Sequence, residues 1–152
     1  KKYKKNLDSD EYKNIFLIKS NITQNCSNRT FDIGYNNYLI SKGFKHIIPE
    51  NYSVIELFNI INSAKNVIMS WGCCGYLNCV FVNETANLLL LAHNGYKHEY
   101  GKHHIQKNEL TIINELCPWT KCEKKLFIGN LPSILSDNTV LLLNSKLLEL
   151  TK

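Results

Sequence analysis

The sequence predicts an α/β fold, a Rossmann-like parallel sheet with helices on both faces. Three observations support this prediction. Apolar runs of strand length alternate with segments of helix length over the first 92 residues, in the order β-α-β-α-β-α-β. The predicted strands are largely apolar throughout, as expected of strands covered on both faces. One strand leads directly into a glycine-containing turn and a helix, an arrangement that α/β proteins use to bind phosphates.

The N-terminal part of the chain is predicted to form a tail, a strand and a helix. Residues 1–12 are polar and are expected to form a frayed tail, and an apolar strand follows over residues 14–19. After a polar loop, Thr30 is placed to cap a helix over residues 31–42. Gly43 stands where a glycine commonly ends a helix, because its backbone adopts a left-handed conformation without a steric penalty.

In the second βα unit, a capping box predicts where the helix begins. A short strand over residues 45–48 is followed by Ser53 and Glu56, which have the spacing of a capping box. The helix is expected to end near Ala64. Its predicted apolar stripe consists of Val54, Leu57, Phe58 and Ile61.

The third strand covers residues 66–70 and opens into the glycine turn, which leads to a short helix ending near Val82. The expected packed face of that helix is Leu77, Val80 and Phe81. A fourth strand over residues 88–92 completes the predicted core, residues 13–92. The C-terminal part is predicted as a histidine-rich loop (93–104), a helix (105–115), an irregular segment (117–122), strands (126–128 and 139–143) and a helix from Ser145.

Length and composition bound the class of protein. A chain of 152 residues is expected to form one domain with a substantial core, and no apolar run approaches the length of a membrane span. Because the chain begins at Lys1 and its one methionine is Met69, we expect a fragment of a larger protein. The surplus of lysine, asparagine and isoleucine is typical of an AT-rich genome. The cysteines form no disulfide-scaffold pattern, which favours a reducing compartment: Cys26, Cys73, Cys74, Cys79, Cys117 and Cys122.

The net charge of +5 comes almost entirely from lysine. Arg29 is the one arginine in the chain, whereas nucleic-acid interfaces usually employ several guanidinium groups interleaved with aromatic side chains. The composition therefore argues against nucleic acid as a partner.

The glycine turn is the main candidate binding element. Its predicted ligand-facing residues are Ser70, Trp71, Gly72, Gly75 and Asn78, because glycines admit a close ligand and a following helix offers free N–H groups. A cysteine nucleophile in this turn is disfavoured. A nucleophile elbow places one residue between each glycine and the nucleophile, whereas two cysteines separate these glycines.

Two cations are predicted at the same edge of the sheet. Lys19 ends the first strand, and Arg29 precedes the helix that follows it. Since the carboxyl ends of parallel strands share one edge, both side chains are expected to face the glycine turn. An ammonium and a guanidinium opposite a helix N-terminus suit a diphosphate.

Three further groups at this edge are candidates for acid–base chemistry: Glu50, His93 and Glu99. The alternative is a metal site built from loop residues: His93, His98, His103, His104 and Glu99, with Cys117 and Cys122. No pair of these residues shows zinc-finger spacing, and Cys117-X4-Cys122 is a loose match to a half-site that lacks its partner, so no metal ligand is assigned.

The order of these motifs resembles the C-terminal half of family 61 glycosyltransferases. The similarity covers roughly residues 14–92. The matching pieces are Ile18-Lys19-Ser20, Arg29, Lys42-Gly43-Phe44, Ser63-Ala64-Lys65, the sequence Gly75-X-X-Asn78-X-X-Phe81 and the strand at 88–91.

This resemblance implies the nucleotide-sugar half of a two-lobed GT-B-like enzyme that is inverting and metal-independent. Lys19 and Arg29 would then face the diphosphate of the donor, and the turn at 72–78 would line it. The N-terminal lobe would supply part of the site for a glycan or protein acceptor. No cofactor beyond the donor is implied.

The chain departs from the family pattern at two positions of the turn. Gly72 stands where the family has a histidine, and Cys73 stands where it has a glycine. These departures keep open the alternative that the chain is a non-catalytic binding or interaction module on the same fold.

Overall fold

The described residues form an α/β domain built on a parallel sheet. A computed structural model describes residues 10–18, 33–70, 78–93, 124–132 and 134–152. Five strands within these ranges pair in the order β2-β1-β3-β4-β5, and every neighbouring pair is parallel. The predicted parallel sheet is thereby confirmed.

The elements are numbered in chain order within the described ranges. The strands are β1 (Asn14–Leu17), β2 (Lys45–His46), β3 (Asn66–Ser70), β4 (Asn87–His93) and β5 (Lys124–Leu131). The α-helices are α1 (Ile33–Ser41), α2 (Val54–Ser63) and α3 (Asp137–Thr151). Two short 3-10 helices cover Pro49–Asn51 and Cys79–Phe81.

The helices cover both faces of the sheet, as the sequence predicted. Leu57, Ile60 and Ile61 of α2 pack in one apolar cluster with β-strand side chains such as Val67 and Leu88. The opposite cluster takes its helical side chains from α1 and α3: Tyr35, Leu39, Leu143, Leu147 and Leu150. Alternate residues of each central strand therefore contribute to opposite cores, which explains why these strands are apolar throughout.

The strand order is that of a doubly wound sheet that reverses direction after its second strand. β3 returns to pair with β1, whereas the classical six-stranded nucleotide-binding order pairs the third strand with the second. The connection from β1 to β2 passes through α1, and the connection from β2 to β3 passes through α2. These two helices lie on opposite faces of the sheet, because right-handed connections that run in opposite directions along a sheet cover opposite faces.

Two of the three helix signals predicted around α1 and α2 are confirmed, and the third, the cap at Thr30, lies outside the described residues. Gly43 has φ +82°, and its N–H donates to the carbonyl of Ile40 while the N–H of Phe44 donates to the carbonyl of Leu39. These two hydrogen bonds define a Schellman motif. At α2, the Glu56 N–H donates to Ser53 Oγ and the Ser53 N–H donates to Glu56 Oε2, which forms the predicted capping box.

The predicted apolar stripe of α2 was partly wrong. Leu57, Ile60 and Ile61 face the sheet, whereas Val54 is 71% exposed and Phe58 is 41% exposed. The buried face therefore includes Ile60, which the predicted stripe left out, and excludes Val54 and Phe58. The ring of Phe58 instead meets the ring of Phe81 edge-to-face, with centroids 5.7 Å apart.

The last predicted strand was also wrong. Residues 139–143 belong to α3, which begins at Asp137 and so starts well before Ser145. Ser136 is its N-cap and accepts a hydrogen bond from the Thr139 N–H. The leucine run was mistaken for a strand because its length is ambiguous, and the helical spacing of the buried Leu143, Leu147 and Leu150 becomes visible only over the whole segment.

Other differences concern element ends. β4 and β5 extend beyond the predicted bounds, β1 and β2 are shorter, and the chain ahead of Val82 ends in a 3-10 helix with Val80 exposed. Tyr12, placed by sequence in the tail, is buried against the core. The predicted elements at 105–115 and 117–122 lie outside the described residues, as do Leu77, Phe31 and most of the histidine-rich loop.

No helix in the described ranges combines the length and the apolar character that crossing a bilayer requires.

Candidate functional site

The strand order reverses between β1 and β3. Doubly wound sheets bind ligands at the carboxyl ends of the two strands where the order reverses, here β1 and β3. Leu17 pairs with Met69, so the residues that follow them, Ile18 and Ser70, lie side by side at the strand ends. Ile18 is the last described residue before Lys19, and Ser70 is the last described residue before the predicted glycine turn.

Ser70 is the polar end of an otherwise apolar strand. It is buried, it is the last residue of β3, and it pairs with Leu91 of β4. Its position at the carboxyl end of β3 is the one predicted for the end of the third strand. A hydroxyl group at this point can donate or accept a hydrogen bond.

Asn78 marks the far end of the glycine turn. It is buried and helical, and it directly precedes the 3-10 helix Cys79–Phe81. The other predicted binding residues, Lys19, Arg29, Trp71, Gly72 and Gly75, lie outside the described residues.

Glu50 and His93 lie beyond different strands. Glu50 is exposed in the 3-10 helix that follows β2, which is the edge strand, so β1 separates it from the exit of β3. His93 is the last residue of β4 rather than the first residue of a loop, and the pairing with β5 is irregular between Leu91 and His93. The third predicted acid–base residue, Glu99, lies outside the described residues.

His46 is a polar residue of the carboxyl edge to which sequence reasoning assigned no role. It pairs with Phe16 across β1 and β2, and the two rings stack with centroids 4.5 Å apart at 4°. Its Nε2 lies 3.3 Å from the carbonyl oxygen of Ile18. Burial lowers the pKa of His46, opposed by the hydrogen bond to Ile18. The imidazole is therefore neutral at pH 7, with Nε2 as the donor.

Asn36 is a second polar residue that was missed. It lies in α1 with only 6% of its surface exposed, and within the described structure its Oδ1 has no hydrogen-bond partner. The available signal was a pair of adjacent asparagines, Asn36 and Asn37, in a helix that needs one buried face. Sequence could not tell which of the two was buried.

Side chains suited to metal binding do not gather in the described part. Within those ranges, histidine, cysteine, aspartate and glutamate form no group of three that could hold a metal ion. Most members of the alternative cluster, from His98 to Cys122, lie outside those ranges.

Comparison with models of known protein families, with curated proteins and with solved structures finds no match to this chain. Functional inference therefore depends on the topology and on the polar groups at the carboxyl edge.

Proposed function

We propose that the chain is the donor-binding domain of a glycosyltransferase, which transfers a sugar from a nucleotide diphosphate to a glycan or protein acceptor. The observation that carries the proposal is the reversal of strand order between β1 and β3, whose last paired residues are Leu17 and Met69. In the sequence, the two motifs that suit a diphosphate begin at the ends of these two strands, one at Lys19 and the other at Ser70.

The proposed chemistry of donor binding follows from these motifs. The helix predicted after β3 would offer free N–H groups to the diphosphate, and the glycines of the predicted turn would allow a close approach. Lys19 and Arg29 are proposed to neutralise its charge, with Arg29 forming paired hydrogen bonds to phosphate oxygens. Trp71, Gly72, Gly75 and Asn78 would line the bound donor.

The acid–base step requires a group close to the acceptor. Glu50, His93 and Glu99 are candidates for it by sequence position. In this proposal a second lobe of a GT-B-like enzyme completes the acceptor site, and transfer proceeds without a metal ion.

A thermal-unfolding assay tests donor binding directly. Each uridine, guanosine and cytidine diphosphate sugar is added at 2 mM. A ligand with a dissociation constant of about 0.1 mM would stabilise the protein by about 1.8 kcal/mol and raise the Tm by roughly 5 °C. If no sugar nucleotide raises the Tm, the proposal fails.

A matched pair of variants tests the proposed phosphate contact. Arg29→Ala removes a charge assigned to the donor site, whereas Lys65→Ala removes an exposed charge just before β3, at the opposite edge of the sheet. The proposal predicts that only Arg29→Ala reduces the ligand-induced shift. An equal shift in both variants would favour a module that does not bind the donor through this edge.

A further inference from the structure

Helix α3 exposes two leucine side chains on the side that faces away from the sheet. Leu141 is 68% exposed and Leu148 is 63% exposed. The sheet-facing leucines of the same helix are Leu143, Leu147 and Leu150, which are buried. At about 100° per residue, the exposed pair lies roughly 150° around the helix from the buried side. A single exposed leucine is common on protein surfaces, but two in line along a helix form an apolar contact surface.

The residues on this side of α3 follow a self-complementary order. The two leucines are seven residues apart, and the exposed Ser145 lies between them. The same side begins at Asp137, in the first turn, and ends at Lys152, the C-cap. These five residues, Asp137, Leu141, Ser145, Leu148 and Lys152, are called the outer row of α3. Its leucines and its charged residues share one midpoint, so the row read backwards puts leucine opposite leucine and lysine opposite aspartate.

The charges at the two ends of the outer row suit an antiparallel neighbour. Asp137 lies at the positive end of the helix dipole, and Lys152 lies at the negative end. An antiparallel copy of the helix would bring a lysine to Asp137 and an aspartate to Lys152, so that the side-chain charges and the dipoles both attract. The other charged residues of α3, Lys146 and Glu149, form an ion pair at 3.2 Å on a different side of the helix. The outer row is therefore complementary in charge to a second copy of itself.

We propose that two copies of this chain associate through the outer row of α3, with the two helices antiparallel about a twofold axis. Such an interface is isologous, because the same surface of each copy meets the other. Leu141 of each copy contacts Leu148 of the other, and Asp137 of each copy pairs with Lys152 of the other. Ser145 lies next to the axis, where its small side chain lets the helices approach closely.

The short length of the contact makes this dimer weak. A helix of 15 residues is about 22 Å long, and its outer row presents two large apolar side chains. Stable interfaces of standard size bury about 1,200–2,000 Å² in total, and contacts below this range are typically transient. We expect a dissociation constant on the order of 0.1 mM, so the association is observed only in concentrated protein.

Sedimentation equilibrium of the full chain tests the apolar part of the interface. Between 5 µM and 1 mM, the average mass of the wild type should rise from that of one chain towards that of two. Leu141→Ser and Leu148→Ser should each raise the dissociation constant at least tenfold. Leu142→Ser is the matched control, because Leu142 is also exposed in α3 but lies about 100° around the helix from Leu141. This control should dimerise like the wild type.

Charge reversal tests the antiparallel arrangement. Asp137→Lys places two lysines opposite each other at both ends of the interface, and Lys152→Asp places two aspartates there, so each variant alone should dimerise at least fivefold more weakly. An equimolar mixture of the two variants restores opposite charges at both ends and should dimerise about as tightly as the wild type. Thermal unfolding at 5 µM, where the protein is monomeric, checks that each variant is folded.

Three results would overturn the proposal. The first is a wild type that stays monomeric up to 1 mM. The second is an equal loss of dimerisation in Leu142→Ser and in the two variants of the outer row. The third is unchanged dimerisation of both single charge variants, since only an antiparallel pair brings Asp137 to Lys152. Donor binding is proposed at the carboxyl edge of the sheet and is tested separately, so none of these results affects it.

Discussion

Asn87 Nδ2 donates a hydrogen bond to Asn66 Oδ1 at 2.9 Å, across the first residues of β4 and β3. The same nitrogen donates to the carbonyl oxygen of Leu150 at 2.9 Å, near the end of α3. Asn66 Nδ2 in turn donates to Asn14 Oδ1 at 2.8 Å, at the start of β1. These hydrogen bonds fix the register of three strands and hold the C-terminal helix against the amino edge of the sheet.

Replacing Asn87 by alanine should destabilise the fold through this network. The change leaves Asn66 Oδ1 and the Leu150 carbonyl without their donor in a buried setting, which costs about 1–3 kcal/mol for each lost partner. We expect the free energy of unfolding in urea to fall by about 2–4 kcal/mol. Asn37→Ala, at an exposed position in α1, is the control. A loss in Asn87→Ala no larger than in this control would show that the network contributes nothing to stability.

Gly43→Ala tests the conformational cost at the end of α1. The residue has φ +82°, and a Cβ built there would meet no atom within 4 Å, so the cost arises from the backbone alone. A loss of about 1 kcal/mol in the free energy of unfolding is expected. Asparagine tolerates the left-handed conformation better, so Gly43→Asn should lose less than Gly43→Ala. Equal losses in both variants would contradict this explanation.

Ser53→Ala removes the N-cap of α2. Its hydroxyl accepts from the Glu56 N–H, and its removal should reduce stability by about 1 kcal/mol in equilibrium unfolding. Ser41→Ala is the matched control, because that hydroxyl only donates to the Tyr38 carbonyl at an exposed helix end. If both alanine variants are equally stable, the capping box is energetically unimportant.

The stability of the protein should fall with acid in a way that depends on His46. Burial lowers its pKa in the folded state, so the unfolded chain, with an ordinary pKa of about 6.5, binds the proton more readily. The stability that the neutral His46 ring contributes is fully present above the pKa of the unfolded chain. It is lost as the pH falls through the lowered pKa of the folded state. As the pH is lowered from 7.5 to 5, the free energy of unfolding should therefore fall more for the wild type than for His46→Phe. The other histidines are common to both proteins, so a difference independent of pH would exclude His46 as the source.

Local interactions made several elements predictable. The capping box of Ser53 and Glu56 and the left-handed Gly43 depend on residues three to five positions apart, and both were predicted from sequence. β3 was predicted with its observed bounds because its apolar run is enclosed by polar residues. The parallel α/β class followed from the alternation of such segments.

The candidate site was harder to predict from the sequence than the helix ends and strands. The sequence pointed to Ser70 as an edge residue, but it gave no role to His46 and could not distinguish the buried Asn36 from the exposed Asn37. The stripe of α2 was misplaced because the contact with the rest of the domain decides which face of a helix is buried. Residues 139–143 were taken for a strand because a short apolar run fits a strand and a helix equally well.

By itself, the sequence determined the capping box of α2, the glycine that ends α1, the central strands and the polar composition of the strand ends, since these depend on short-range steric and hydrogen-bonding preferences. Only the tertiary structure decided that β3 pairs with β1, which brings Ile18 beside Ser70. It also decided that three asparagines distant in sequence form one network. Strand pairing is a long-range choice made by burying two apolar faces at once, and no local pattern encodes it.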